Sequence, residues 1–185
     1  MRLVTAACTL RPFVATDAPA LAHHANDRAV WRTVRDRFPH PYTLADAEAF
    51  IGMVTSRDEP VPTTFAIEVE GGVVGGIGLI PGTDIERIGA EIGYWLGRAW
   101  WGRGIASHAV AATTAYAFGP LGFLRVFAMT MAGNAASRRV LARCGYTLEG
   151  ILRSAQIKEG IVHDTALYAA IRDDWTPPTF AAPIR

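Results

Sequence analysis

Alternating apolar and polar positions predict three successive strands in the first half of the chain. Residues 65–70 alternate between the two kinds of side chain, which is the pattern of a half-buried strand. Gly71 and Gly72 follow as a two-residue hairpin turn, because glycine accepts the positive φ that such turns require. The chain returns over residues 73–80, turns again, and continues as a third strand over residues 88–96. The pattern therefore indicates an antiparallel meander.

The segment before this meander predicts one short strand and two helices. Residues 9–14 are expected to form the strand. Thr16 and Asp17 offer N-caps for a helix that runs to about Thr33. A Pro-punctuated loop follows, and a sequence resembling a capping box then begins a second helix over about 43–55.

The second half of the chain alternates helices and strands. An alanine-rich stretch predicts a helix over Ile105–Phe118, and Phe123–Met131 is expected to be a strand. Asn134–Gly145 has the cap residues of a short helix, and Tyr146–Arg153 and Ile161–Ala170 complete the order as two strands. The fold class is therefore α/β (α+β) with a mixed, mainly antiparallel sheet.

Length and composition narrow the class of protein. A chain of 185 residues that is 50% apolar fits one domain, expected over residues 1–175, and Pro-rich residues 176–185 are expected to be a flexible tail. A net charge of +1 argues against non-specific nucleic-acid binding, and no apolar run approaches the roughly 20 residues of a membrane span. Two cysteines, Cys8 and Cys144, are consistent with free thiols. We expect a cytoplasmic protein with neither a nucleic-acid nor a membrane partner.

A glycine-containing loop precedes the predicted helix at Ile105. Gly102 and Gly104 would let an anion approach the backbone, and the first N–H groups of the helix have no partner within it. The loop therefore predicts a phosphate or pyrophosphate site, although a plain strand–helix turn would need the same glycines. It is not a Walker A loop, which requires Gly-Lys-Ser/Thr. Ser107 stands where a dinucleotide fingerprint has its third Gly or Ala, which argues against that motif.

The short helix after Asn134 is the second candidate segment. Asn134 is expected to be its N-cap, and Ser137 lies in the first turn. Arg138, Arg139 and Arg143 crowd the same helix, where they either face solvent or meet phosphate groups.

Together, these segments resemble the GNAT superfamily of N-acetyltransferases, in the RimJ/RimL branch that acetylates the N-termini of ribosomal proteins. The glycine-loop pattern of that family falls on residues 101–106, with Trp101 in place of a polar residue. The resemblance extends over residues 8–175 and also rests on these segments: Leu10-Arg11-Pro12-Phe13, Asn134 to Tyr146, and Glu149-Gly150 with Asp164 and Tyr168.

The resemblance implies a twisted sheet flanked by about four helices, with its fourth and fifth predicted strands splayed apart. Acetyl-CoA, as co-substrate, would lie in the gap, with its pantetheine arm along the strand ending at Leu96. Its pyrophosphate would meet the amides of residues 103–107. The implied cofactor-binding residues are Tyr94, Trp95, Leu96, Trp101, Gly102, Arg103, Gly104, Ile105, Ala106, Ser107, Asn134 and Arg139.

An amine must lose a proton before it attacks a thioester, and a carboxylate is a suitable base. Glu91 is the candidate, because it precedes the glycine loop on the strand that should flank the acetyl group. Glu149 and Asp164 are alternatives. Asn134 and Ser137 are expected to assist by hydrogen bonding. No general acid is assigned, because Leu141 occupies the position where many relatives carry a tyrosine.

Three functions remain open from the sequence: acetylation of a protein or peptide N-terminus, acetylation of a small amine, and acyl-CoA binding without catalysis. The loop from Arg32 to Tyr42 would border the amine acceptor, and its basic residues argue against a polycationic one. The histidines show no metal-ligand spacing, so no metal is expected. The oligomeric state is expected to be a monomer or a homodimer.

Overall fold

The computed structural model describes residues 1–56 and 62–181, which form one eight-stranded mixed sheet with helices packed against it. The strands lie in the order β1-β2-β3-β4-β5-β6-β8-β7. Their bounds are β1 Leu3–Val4, β2 Thr9–Arg11, β3 Thr64–Val69, β4 Gly72–Pro81, β5 Gly89–Leu96, β6 Arg125–Met131, β7 Thr147–Lys158 and β8 Ile161–Ile171.

Five α-helices connect these strands within the described ranges. Their bounds are α1 Ala18–Ala25, α2 Arg28–Trp31, α3 Leu44–Thr55, α4 Ile105–Phe118 and α5 Ala135–Arg143. The predicted capping box at the start of α3 is present: Thr43 Oγ1 accepts from the Asp46 amide at 3.2 Å, and Asp46 Oδ2 accepts from the Thr43 amide at 2.8 Å. The α+β class and the mainly antiparallel sheet are confirmed.

The prediction of one helix up to about Thr33 was wrong, because the chain breaks at Asn26. This residue leaves helical geometry, with ψ of 53°, and its side-chain oxygen accepts from the Tyr42 amide at 3.0 Å. Asp27 is extended and caps α2 by accepting from the Ala29 amide at 2.7 Å. Two adjacent residues whose side chains bond to backbone groups thus end one helix and begin another.

The hairpin turn between β3 and β4 lies one residue earlier than predicted. Val69 pairs with Gly72, so the two turn residues are Glu70 and Gly71, with φ of 52° and 81°. Strand register is tied to the face that is buried, and a shift by one residue would turn every side chain of β4 to the opposite face. The register of the flanking strands therefore places a glutamate at a turn position that usually favours Asn or Gly.

Residues on β3 show how the sheet separates two hydrophobic clusters. Phe65 and Ile67 are fully buried in a cluster that includes α4, whereas Ala66 between them is buried in a cluster that includes α1 and α3. Alternating side chains of a strand point to opposite faces of its sheet. Helices therefore cover both faces of this part of the sheet, and β3 is buried between them.

β5 and β6 pair over only three residues and then separate. Gly89, Ala90 and Glu91 pair in parallel with Arg125, Val126 and Phe127, whereas β5 continues to Leu96 along β4. This divergence is the predicted splay between the fourth and fifth strands of the sequence-based order. It leaves one edge of β5 beyond Glu91 free to face a ligand.

The C-terminal segment packs against α4 and α5 as far as it is described. Trp175 donates its indole N–H to the Cys144 carbonyl at 2.8 Å, and the ring of Phe180 lies 4.7 Å from the Arg143 guanidinium carbon. Residues 182–185 lie outside the described part of the chain, and the flexibility of the tail stays a prediction.

Among the described helices, none combines the length and the apolar character needed to cross a bilayer.

Candidate active site

A groove of about 1830 Å³ opens where β5 and β6 separate. The start of α4 with its glycine loop and the exposed side of α5 form part of its wall. The loop between α2 and α3 and the C-terminal part of β7 line it as well. The groove therefore joins the two segments in which the sequence predicts chemistry.

The glycine loop has the backbone geometry of an anion site. Gly102 and Gly104 adopt φ of 74° and 78°, which favours glycine, and a Cβ at either position would meet no atom within 4 Å. Gly104 precedes α4, and no side chain caps the helix. The amides of Ile105, Ala106 and Ser107 therefore lack intrahelical acceptors. They lie at the positive end of the helix dipole, where a phosphate is favoured.

Two tryptophans hold this loop in place. Trp101 donates its indole N–H to the Leu96 carbonyl at 2.8 Å, which ties the loop to the end of β5. The Arg103 guanidinium lies 4.8 Å from the centre of the Trp100 ring. The side chain of Arg103 is thus engaged by an aromatic face, and the backbone amides of this loop are the groups suited to an anion. Trp101, which stands where the family pattern has a polar residue, therefore helps to hold the loop against β5.

A hydrogen bond links β5 to α5 across the groove. The hydroxyls of Tyr94 and Ser137 are 2.9 Å apart, and Asn134 Oδ1 accepts from the Ser137 amide at 3.1 Å. Asn134 is therefore the predicted N-cap, and all three residues line the groove. Burial raises the pKa of the Tyr94 phenol, and the Ser137 hydrogen bond lowers it by less. The phenol accordingly stays protonated at physiological pH and can donate a hydrogen bond.

The three arginines of α5 have different surroundings. Arg138 is turned toward the sheet, where it donates to the Tyr168 hydroxyl at 3.2 Å and to the Ala132 carbonyl at 3.0 Å. Arg139 and Arg143 are exposed and line the groove. Arg139, the cofactor-binding candidate, is therefore on the side of the helix that a phosphate in the groove could reach.

Glu91 lies at the fork, on the last residue pair that joins β5 to β6. Its side chain is 15% exposed, lines the groove, and accepts a hydrogen bond from the Arg35 guanidinium. Arg35 belongs to the loop between α2 and α3, and no local sequence pattern indicates that this residue contacts Glu91. A charged pair of residues 56 positions apart depends on the tertiary fold alone.

The two alternative carboxylates are placed elsewhere. Glu149 accepts from Arg125 at 2.7 Å, and that guanidinium lowers the pKa of the Glu149 carboxyl despite partial burial. Asp164 accepts from the Ser154 amide at 2.8 Å. Within the described part of the chain, the groove wall contains Glu91 but neither of these residues. The arrangement therefore favours Glu91 as the base.

Aromatic side chains line the part of the groove next to Glu91. Phe38 makes edge contacts with Trp95, at 5.2 Å between ring centres, and packs on Tyr42 at 4.7 Å. Leu141, which occupies the position of the family tyrosine, is fully buried in the core. The described residues contain no group of three or more His, Cys, Asp and Glu side chains that could hold a metal ion.

Comparison with known proteins identifies the family of this fold. The family model for the acetyltransferase (GNAT) domain matches residues 8–147. The chain belongs to the GNAT acetyltransferase family. The uncharacterized N-acetyltransferase p20 of Bacillus licheniformis is 30% identical over 94% of this chain and 97% of its own length.

Other GNAT relatives are matched over a shorter span. The ribosomal-protein-serine acetyltransferase of Escherichia coli is 38% identical over 52% of this chain and 55% of its own length. Like this enzyme, other curated relatives with a higher identity than p20 are matched over only about half of their own length. A solved structure of RimL, an alpha-N-protein acetyltransferase in complex with coenzyme A, superposes with a TM-score of 0.81. At 22% identity, over 92% of this chain and 97% of that one, it supports the fold.

Proposed function

We propose that the protein is an acetyl-CoA-dependent N-acetyltransferase that acts on a primary amine, the N-terminal α-amine of a protein or peptide. One observation carries the proposal: a single groove joins the free amides at the start of α4 to the carboxylate of Glu91. The relatives named for ribosomal-protein acetylation support the choice of a protein N-terminus as acceptor.

The residues of the groove fit coenzyme A. The amides of residues 103–107 would hold its pyrophosphate, since Gly102 and Gly104 leave the approach to the backbone open. Arg139 would add a charge-assisted contact, and the free edge of β5 at Tyr94–Leu96 would bind the pantetheine arm. Bound acetyl-CoA supplies the acetyl group as a reactive thioester. As the amide forms, the C–S bond would break and coenzyme A would leave as a thiolate, which is a tolerable leaving group because a thiol of this type has a pKa of about 8.5.

Glu91 would act as the general base by taking a proton from the acceptor ammonium, directly or through a water molecule. An α-amine has a pKa of about 7.7–8.0 and a lysine side chain about 10.4, so deprotonation at pH 7 costs roughly 1.4 and 4–5 kcal/mol respectively. The smaller cost makes an α-amine the easier acceptor for a single carboxylate.

The free edge of β5 would stabilise the negative charge that develops on the thioester carbonyl. Alternate backbone N–H groups of a strand point to the same side, and beyond Glu91 that side of β5 has no β6 partner among the described pairs. Such a donor contributes about 3 kcal/mol in other acyl-transfer sites. Asn134 and Ser137 would assist through hydrogen bonds, and the protonated Tyr94 holds Ser137 in position.

Thiol release from acetyl-CoA in the presence of a panel of peptides and small amines tests this function. Glu91→Gln should lower kcat by 10²-fold or more, within the range of about 10²–10⁴ for loss of a general base. Glu149→Gln is the matched control and should leave kcat within about twofold of wild type. Tight coenzyme A binding without acetylation of any peptide or amine would instead indicate a non-catalytic acyl-CoA-binding module.

The acceptor panel also separates the two catalytic alternatives. Preference for peptides over polyamines, amino acids and aminoglycosides would support an N-terminal acceptor, and the opposite preference would assign a small amine.

A cytoplasmic location, with neither nucleic acid nor membrane as partner, stays the expectation from composition. Monomer or homodimer is likewise the expected oligomeric state.

A further inference from the structure

The chain contains 18 Lys and Arg residues, and Lys158 is the only lysine among them. It is the last residue of β7 and lines the groove. Its side chain is only 4% exposed, which is unusual for a lysine because burial removes the ammonium from water. A single buried cation in the groove wall therefore needs a specific explanation.

Two groups contact the Lys158 ammonium. Asp36 accepts a hydrogen bond from Nζ at 2.7 Å, and Nζ lies 3.8 Å from the centre of the Trp31 ring. The ring of His40 stacks on Trp31, with 5.5 Å between the ring centres, and so helps to hold the indole in place. A cation over an indole face is attracted by its quadrupole, which offsets part of the cost of leaving water.

The carboxylate partner is less firmly placed than the lysine. Asp36 is 69% exposed and lies in the loop between α2 and α3, where water competes for its charge. An ammonium has three N–H donors: Asp36 accepts from one, and the Trp31 ring faces the group. Within the described residues, no second oxygen accepts from Nζ. Lys158 therefore retains donor capacity for an anion in the groove.

We propose that Lys158 binds a carboxylate of the acceptor, so that the amine substrate is an acidic molecule. This inference rests on the proposed function and names the class of acceptor. Arg35 and Asp36 are adjacent in the chain, and one contacts Glu91 while the other contacts Lys158. The same loop thus contacts both the base and the proposed carboxylate site. One acceptor molecule would place its amine at Glu91 and its carboxylate at Lys158.

Two sources of the carboxylate are distinguished by matched acceptors. Peptide amides with Asp or Glu at the first or second position are compared with their Asn and Gln counterparts. Free amino acids are compared with the corresponding amino-acid amides. We expect at least a tenfold preference in kcat/KM for the acidic member of one of these pairs, and the pair that shows it identifies the source.

Variants test whether Lys158 causes the preference. Lys158→Met keeps an apolar side chain and removes the charge. The KM for the acidic acceptor should rise, so that kcat/KM for the acidic and the neutral acceptor differ by no more than about twofold. Arg153→Met, at an exposed position of the same strand, is the matched control and should keep the preference. Asp36→Asn removes the negative charge of the loop contact and leaves the ammonium, so the preference should persist. If Asp36→Asn abolished the preference as fully as Lys158→Met, Lys158 would only hold the loop, and the inference would be overturned.

A binding measurement separates this inference from the proposed reaction. Calorimetric titration of the coenzyme A-loaded protein with an acidic peptide amide and its neutral counterpart needs no turnover. Tighter binding of the acidic peptide to wild type, lost in Lys158→Met, would support the carboxylate site even if no acetylation occurred. Equal binding together with equal kcat/KM for both members of every pair would overturn it while leaving the acetyltransferase function intact. Circular dichroism verifies that each variant is folded.

Discussion

Arg35 donates a hydrogen bond to the carboxylate of Glu91 across the mouth of the groove. The guanidinium is half exposed, whereas the carboxylate is largely buried at the fork between β5 and β6. The proposed base is therefore already paired with a cation before an acceptor arrives. An incoming ammonium has to share or displace that partner, so Arg35 competes with the acceptor for Glu91.

Removal of the Arg35 side chain should strengthen acceptor binding. We expect Arg35→Ala to lower the acceptor KM by a factor of about 1.4 to 5, because a half-exposed ion pair of about 0.2–1 kcal/mol no longer competes. Steady-state kinetics with varied acceptor measures the change. Arg37→Ala is the control, since Arg37 lines the same groove and is paired with no carboxylate of the described residues. A tenfold higher KM in Arg35→Ala would contradict the competition and show that Arg35 supports binding instead.

A methyl group on the glycine loop should weaken coenzyme A binding selectively. Gly104→Ala adds a Cβ at φ of 78°, with a backbone cost of about 1–2 kcal/mol, on the open face that we assign to the pyrophosphate. We expect the KM for acetyl-CoA to rise about tenfold. Gly71 has a similar φ of 81° and equally open space in the β3–β4 turn. Gly71→Ala should therefore have the same backbone cost and leave the KM for acetyl-CoA unchanged. An unchanged KM in Gly104→Ala would place the pyrophosphate elsewhere.

The hydrogen bond between Tyr94 and Ser137 should be measurable as a coupling energy. Tyr94→Phe and Ser137→Ala each remove one hydroxyl, and the double variant removes both. Both single variants lose the same bond. The double variant should therefore lose about 0.5–1.5 kcal/mol less of the free energy of unfolding than the sum of the two single losses. Urea unfolding of the four proteins gives the value. Strict additivity would mean that the two hydroxyls do not interact in solution.

A network at the start of the domain should make stability depend on pH. Arg11 donates to both carboxylate oxygens of Asp17 at 2.8 Å and also pairs with Glu68. Burial alone would raise the pKa of Asp17, but the Arg11 guanidinium and the Val14 amide together lower it. A depressed carboxyl pKa stabilises the fold above the unfolded value of about 3.9, and this contribution is lost as pH falls through the folded pKa.

Asp17→Asn should therefore destabilise the protein by about 2–3 kcal/mol at pH 7, since it leaves Arg11 largely buried with one partner fewer. The difference from wild type should shrink between about pH 5 and pH 3, where the wild-type carboxylate gains its proton. Urea unfolding across this pH range measures it. A difference that stayed constant down to pH 3 would show that the Asp17 charge contributes nothing to stability.

Local signals explain which elements could be predicted from the sequence. The alternation before β4, the alanine-rich stretch of α4 and the capping box at Thr43 each act within a few residues, and all three are present. The break at Asn26 was missed, because Asn and Asp are compatible with both a helix cap and a helix interior. Only the contact of the Asn26 side chain with the Tyr42 amide, 16 residues away, decides between them.

The sequence by itself determined most of the elements and the position of the glycine loop, because both depend on backbone preferences or short motifs. It also supplied Glu91 as the candidate base, which stays a prediction. The partners of that base and of the sole lysine were decided by the tertiary structure. Arg35 lies 56 residues from Glu91, and Asp36 lies 122 residues from Lys158. Ion pairs over such separations depend on the fold that places the loop after α2 against β5 and β7, and no local sequence pattern specifies that placement.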